Sequence, residues 1–134
     1  MSNRINISSG AKWEEIFGHS RAVRVGNVIE VAGTTAVDEN SEVVAEGDMY
    51  AQAKYVLQKI EWAIQEAGGQ MSDVVCTRVF LTDSGLFDEL ARAHLEVFGD
   101  IKPASTAVEA KMVDARMLVE IEATAIVMDV DNAK

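Results

Sequence analysis

The chain has 134 residues, 49% apolar and 25% charged, with one cysteine and a net charge of −10. That length buries a core without disulfides or a structural metal, the apolar share excludes a disordered chain, and the lone Cys76 gives no reason to invoke an oxidising compartment. No apolar run approaches the roughly 20 residues of a membrane span, the start MSNRINISSG lacks a signal peptide's hydrophobic stretch, and the acidity repels a polyanion, so the expectation is a cytoplasmic protein partnered by neither membrane nor nucleic acid.

Arg4 to Ser8 reads as a short strand, and Trp13 to Gly18 as a loop or turn. Two β-rich runs, Arg21 to Val25 and Val28 to Ala32, flank Gly26-Asn27, which suits a two-residue hairpin turn. The stretch VDENSEVVAEGD carries turn residues and little periodicity, as a surface loop does. A helix is predicted from the N-cap Asp48 to Ala67, stopped by Gly68-Gly69, with Ala53, Val56, Leu57, Ile60, Ala63, Ile64 and Ala67 on one face. Asp73 to Thr82 reads as a strand. A second helix spans Leu86 to Phe98, presents Leu86, Leu90, Ala93 and Val97 together, and ends at Gly99. Pro103 turns the chain into a strand around Ser105 to Ala110, and the last strand is Leu118 to Met128. The order β-β-β-α-β-α-β-β implies an α+β fold: a mixed β-sheet with two helices packed on one face, one domain over residues 1–134, with 127–134 as a frayed tail.

Strand alternation carries the functional argument. In the last strand Val119, Ile121, Ala123, Ala125 and Val127 suit a face packed under the helices, leaving Glu120, Glu122, Thr124, Ile126 and Met128 on the other. In the preceding long strand Val75, Thr77, Val79 and Leu81 point one way, and Cys76, Arg78, Phe80 and Thr82 the other. A solvated face carries Lys, Glu and Thr without Phe, Cys, Ile and Met. The mixture of apolar groups with Arg and Glu suggests a face covered by another subunit, with charges left for a cleft; a partly exposed sheet with incidental apolar groups is the alternative.

These blocks, SRAVRVGNVIEVAGTTAVD, the helix ending in GG, DVVCTRVFLTD, FGDIKPASTAVEA and LVEIEATAIV, resemble the RidA/YjgF family in order and spacing from about Ile7 to Val127. The resemblance implies a chorismate-mutase-like fold, a homotrimer, and small-molecule clefts at the subunit interfaces with no cofactor. Founding members hydrolyse reactive enamines and imines derived from amino acids, releasing a 2-oxo acid and ammonia, and grip the substrate carboxylate with an arginine in a P-A-R-S-x-V-E pattern. Here that stretch is Pro103-Ala104-Ser105-Thr106-Ala107-Val108-Glu109, so Ser105 stands at the arginine position. His19 replaces the family's tyrosine, Ala32 a serine and Ala91 an asparagine, while Gly33, whose N–H can approach a ligand, and Glu120 are retained. The pattern is similar to Rid subgroups without the deaminase arginine.

Glu120 is the candidate to orient or activate a water, the alternative being an interfacial ion pair. Arg78 offers a guanidinium for a carboxylate, or else pairs with Glu120 or Glu122; Arg21 is a weaker substitute. His19, Gly33 and Ser105 complete the candidate ligand contacts. His94, within the second helix, reads as a surface or partly buried group, and Cys76 as a small apolar residue unless Arg78 activates it. Two isolated histidines and one cysteine show no metal-ligand spacing, and Gly68-Gly69 ends a helix instead of opening one around a phosphate. The functions left open are an imine or enamine hydrolase, a non-catalytic trimeric metabolite binder or sensor, and, against the charge, an endoribonuclease or translation inhibitor.

Overall fold

The computed structural model describes residues 3–128. The elements are β1 (Arg4–Ile7), α1 (Lys12–Phe17), β2 (Ala22–Val25), β3 (Val28–Thr35), α2 (Met49–Glu66), β4 (Val74–Leu81), α3 (Phe87–Phe98), β5 (Ala104–Glu109) and β6 (Val119–Ile126). Among the described residues, six strands form one sheet in the order β1-β2-β3-β6-β4-β5. β6 runs antiparallel to both β3 and β4, and β5 lies parallel to β4 across the α3 crossover. The last strand to be made is therefore a central one. This is the α+β architecture read from the residues, and it agrees with the chorismate-mutase-like fold that the family resemblance implies.

The helix signals act as read. Asp48 caps α2, its carboxylate accepting from the Ala51 N–H at 3.0 Å. At the other end Gly68 adopts φ 88°, and the N–H groups of Gly69 and Gly68 turn back onto the carbonyls of Ile64 and Gln65. All seven apolar residues predicted to share a face of α2 are buried, as are Leu90, Ala93 and Phe98 of α3. They meet Val119, Ile121, Ala123 and Ala125 of β6, none of them measurably exposed. Burying each larger aliphatic side chain there contributes about 1.5–3 kcal/mol.

Four local readings need correction. Trp13 to Gly18 is not a loop or turn: residues 12–17 form α1, ended by Gly18 at φ 85°, so the element order gains a helix after β1. A single turn and a half is too short for its periodicity to stand out, and the buried Glu14 that anchors it does so by tertiary-like bonds back to Ser8 and Ser9. Val75 does not face inward with Thr77: pairing slips between Val74 and Cys76, so Val74 is buried and Val75 exposed. The β2–β3 pair is longer on one side than expected, because β3 continues past Ala32 to Thr35 to pair with β6. Lastly, Met128 lies beyond β6, and the Val127 N–H is bonded to Asn27 O at 2.7 Å. The rest of the expected tail, 129–134, lies outside the described residues.

Candidate functional site

The site begins with a bulge. β3 pairs Val31 with Ala123 and Thr34 with Ile121, so Ala32 and Gly33 together oppose the single residue Glu122. The extra residue shifts the phase of the strand: Ile29 and Val31 are buried before it, Thr34 and Ala36 after it. Glycine at the bulge has a second use. A Cβ at Gly33 would overlap the Glu120 carboxylate, so the missing side chain is the seat in which that carboxylate lies.

Glu120 stands on β6 opposite Thr35 of β3 and Phe80 of β4, on the sheet face away from α2 and α3. Burial first, then the Glu122 charge, push its carboxyl above the usual range, and Arg21 opposes them. Arg21 precedes β2 and donates from Nη2 to Gly33 O at 2.5 Å. Burial pulls its guanidinium down, while the Glu14 and Glu120 charges raise it. A shared backbone residue, Gly33, thus joins the acid and the cation whose charge opposes its raised pKa. On the helix side of the same strand end, Lys59 of α2 donates to Thr35 O and Val37 O, both at 2.8 Å. Burial and the Arg21 charge push its ammonium down to about 8, with Asp38 opposing.

Two residues along β6, Glu122 faces Arg78 and binds its Nε. Arg78 also reaches Glu30 at 3.7 Å, Thr124 at 3.3 Å and the Cys76 sulfur at 3.3 Å. Its guanidinium is engaged within its own protomer, with Glu122 and Glu30 and not with Glu120. Arg78, Glu122, Glu30 and His19 line one shallow depression on the open sheet face, which Gly33 and Glu120 do not line. His19 packs edge-on against Phe17 at 5.7 Å. Among the described residues, His19 Nδ1 and Arg21 Nε are the buried side-chain nitrogens without a hydrogen-bond partner.

Ser105 stands apart from all of these. In β5 it pairs with Thr77, which is buried on the helix side of β4, and Thr77 donates to the Ser105 hydroxyl at 2.7 Å. Within one protomer, Ser105 and Glu120 lie on opposite faces of the sheet. Of the residues singled out from sequence, Gly33 and Glu120 touch, Arg78 and His19 share a depression beside them, and Ser105 joins neither. Arg21 was underrated. A glycine inside a strand pattern is the signal that could have promoted it, because glycine there marks a bulge, and Arg21 holds that bulge by its carbonyl. Among the described residues no group of three or more His, Cys, Asp or Glu could hold a metal, and no helix is long and apolar enough to cross a membrane.

The fold is a six-stranded α+β sheet with a carboxylate seated over a bulge glycine, and comparison with known sequences gives it a family. The family model described as Endoribonuclease L-PSP matches residues 11–127, and the chain belongs to that family, which also holds the RutC and YjgF proteins. It is 39% identical over 120 residues to an uncharacterised protein of Streptomyces coelicolor, covering 89% of each chain. It is 33% identical over 104 residues to a 3-aminoacrylate deaminase RutC of Acinetobacter baylyi, covering 78% of this chain and 82% of that one. A crystal structure of a YjgF/YER057c/UK114 family member from Mycobacterium tuberculosis superposes with a TM-score of 0.84 at 39% identity, covering 92% of this chain and 99% of the other.

Proposed function

We propose that this chain is a Rid-type protein that hydrolyses a small imine, enamine or related metabolite, with Glu120 orienting or activating the water. The observation that carries the reading is the seating of Glu120: a half-buried carboxylate with a raised pKa, fitted over Gly33 and facing Arg21. A carboxylate so placed can take a proton and return it to a bound substrate. Water adds to the C=N carbon, one of its protons passing by way of the Glu120 carboxylate to the nitrogen to give a carbinolamine; the hydroxyl proton then follows the same route to the nitrogen, the C–N bond breaks, and ammonia leaves as the carbonyl forms. The RutC relative named as a 3-aminoacrylate deaminase supports that substrate class.

The cleft in this reading lies between copies of the chain in a homotrimer. Ser105 and Glu120 are on opposite faces of one sheet, so a ligand touching both needs Ser105 from a second copy. Every residue of the edge strand β5 is exposed, Val108 at 45% among them, which leaves an unpaired edge and both its faces open to a partner. Light scattering is expected to return three times the chain mass; a stable monomer at micromolar concentration removes the cleft.

Glu120→Gln keeps the shape and removes the proton-transfer capacity. It is expected to abolish turnover of amino-acid-derived imines while trimer mass and melting temperature hold. Acting as a base, Glu120 must be ionised, so the wild-type rate rises with pH through a midpoint above the usual carboxylate range, and that limb vanishes in the variant. A looser or less stable trimer with normal turnover would instead make Glu120 a structural charge. Ser105 in place of the arginine favours a second reading, a non-catalytic metabolite binder of a subgroup lacking that arginine; ligand binding without turnover in the wild type would establish it. RNA is disfavoured by the net charge of −10 and by Glu30, Glu120 and Glu122 on the open sheet face.

A further inference from the structure

Arg21 is a cation in a costly position. Its guanidinium is partly withdrawn from water, donates from Nη2 to Gly33 O, and leaves Nε buried without a hydrogen-bond partner. Among the described residues no carboxylate forms an ion pair with it, and the Glu14 and Glu120 charges act on it from farther off. A desolvated guanidinium without a paired anion contributes less to stability than an apolar side chain of similar volume. What it does supply is a fixed positive charge near Glu120 and a grip on the residue that seats it.

The grip answers a gap in the sheet. β2 pairs with β3 as far as Val31, and the Ala32 N–H still reaches Arg21 O at 3.0 Å. Beyond that point β3 has no strand on the β2 side, although it continues to Thr35 against β6. Side-chain cations hold its carbonyls there: Arg21 takes Gly33 O, and Lys59 of α2 takes Thr35 O and Val37 O. Thr35 is the residue that pairs with Glu120, and Gly33 is the one whose missing side chain makes room for its carboxylate.

The charges around Glu120 are few. Glu122 of its own strand disfavours the ionised form and Arg21 favours it. Across the sheet β4 sets the uncharged Phe80 opposite, and its Arg78 is bound to Glu122. Glu14 of α1 acts on Arg21, and Arg21 in turn on Lys59, where Asp38 opposes it. We infer that Arg21 is the positioning residue of the site, holding the Glu120 carboxylate in its Gly33 seat and ready to act as a base. The inference rests on the reading of Glu120 as the acid–base group, since it names what makes that group serviceable.

The test follows the Glu120 carboxyl carbon by NMR as pH is varied on the intact protein, which needs no substrate. Arg21 opposes the rise in the Glu120 pKa, so Arg21→Gln, which keeps a donor and removes the charge, is expected to move the midpoint to higher pH. Arg21→Lys keeps the charge and is expected to hold the wild-type midpoint. Lys59→Met breaks the other carbonyl grip without removing Arg21, and is expected to lower the melting temperature and leave the midpoint in place. In a Gly33→Ala background, where the carboxylate has left its seat, Arg21→Gln should move it little. Should Arg21→Gln not fold, Arg21→Met makes the same comparison with apolar atoms in the same space. An unmoved midpoint in Arg21→Gln, an equal shift in Arg21→Lys or Lys59→Met, or the same shift without the seat overturns the inference. For hydrolysis of the imine of pyruvate at neutral pH, kcat is expected to fall about tenfold or more in Arg21→Gln with KM little changed. Failure of the underlying reading looks different: the NMR midpoint moves from variant to variant and the rising limb of the rate does not follow it.

Discussion

Gly33→Ala is expected to eliminate turnover, or the response to ligand, while moving the melting temperature little. The added methyl overlaps the Glu120 carboxylate oxygen and sits 3.1 Å from its carboxyl carbon and 3.4 Å from its Cγ, so its three nearest neighbours all belong to that one side chain. The atom that must yield is the free end of a long side chain, so the backbone of β3 and β6 need not move. The carboxylate does have to leave its seat, and with it the neighbourhood of Arg21 that opposes its raised pKa. Losing a positioned acid–base group costs about 10²–10⁴ in rate. Paired measurement of activity and thermal unfolding checks this: a variant as active as the parent would show that the seated position is not the reacting one. A variant that fails to fold would show instead that the bulge needs glycine for the backbone alone.

Gln52→Leu is expected to be strongly destabilising, though Gln52 is on α2, across the sheet from the face that carries Glu120. The side chain is fully buried on α2 among apolar neighbours. Its amide nitrogen donates to Arg116 O at 2.9 Å and to Val44 O at 3.2 Å, and its oxygen accepts from the Leu118 N–H at 2.8 Å. One side chain thus ties the loop before α2 and the entry of β6 to the same helix. Leucine matches the size but strands an N–H and two carbonyls, each unmade buried bond costing about 1–3 kcal/mol. The expected loss is about 3–5 kcal/mol, a large part of the total for a domain of this size. Urea unfolding should show a lowered midpoint with an unchanged slope. Because Leu118 lies two residues before Glu120, a partly folded variant should also lose activity; a loss below about 1 kcal/mol would mean water replaces the amide.

The apolar stripe of α2 is so regular that Gln52 escapes notice: it falls beside the stripe and reads as a polar surface residue. Its partners at Arg116 and Leu118 are remote in sequence, and no local pattern reveals them. The same holds for Arg78. Alternation places it correctly on the open face with Cys76 and Phe80, but its partners arrive on β3 and β6, so only pairing shows that Glu122 and Glu30 occupy it.

What the sequence determined by itself is what neighbouring residues decide: the Asp48 cap and the Gly68-Gly69 stop of α2, the buried face of β6, the Gly26-Asn27 turn, and the family blocks that retain Gly33 and Glu120. These follow from backbone geometry and from period, both local. The tertiary structure decided which faces meet. It inserted β6 between β3 and β4, slipped the phase at Val75 and at Ala32-Gly33, and put Ser105 on the helix side, bonded to Thr77 and away from Glu120. A period tells which residues of a strand point together, but one extra residue reverses everything beyond it, and the partner strand that absorbs the extra residue lies some ninety positions away, as Glu30 and Thr124 do.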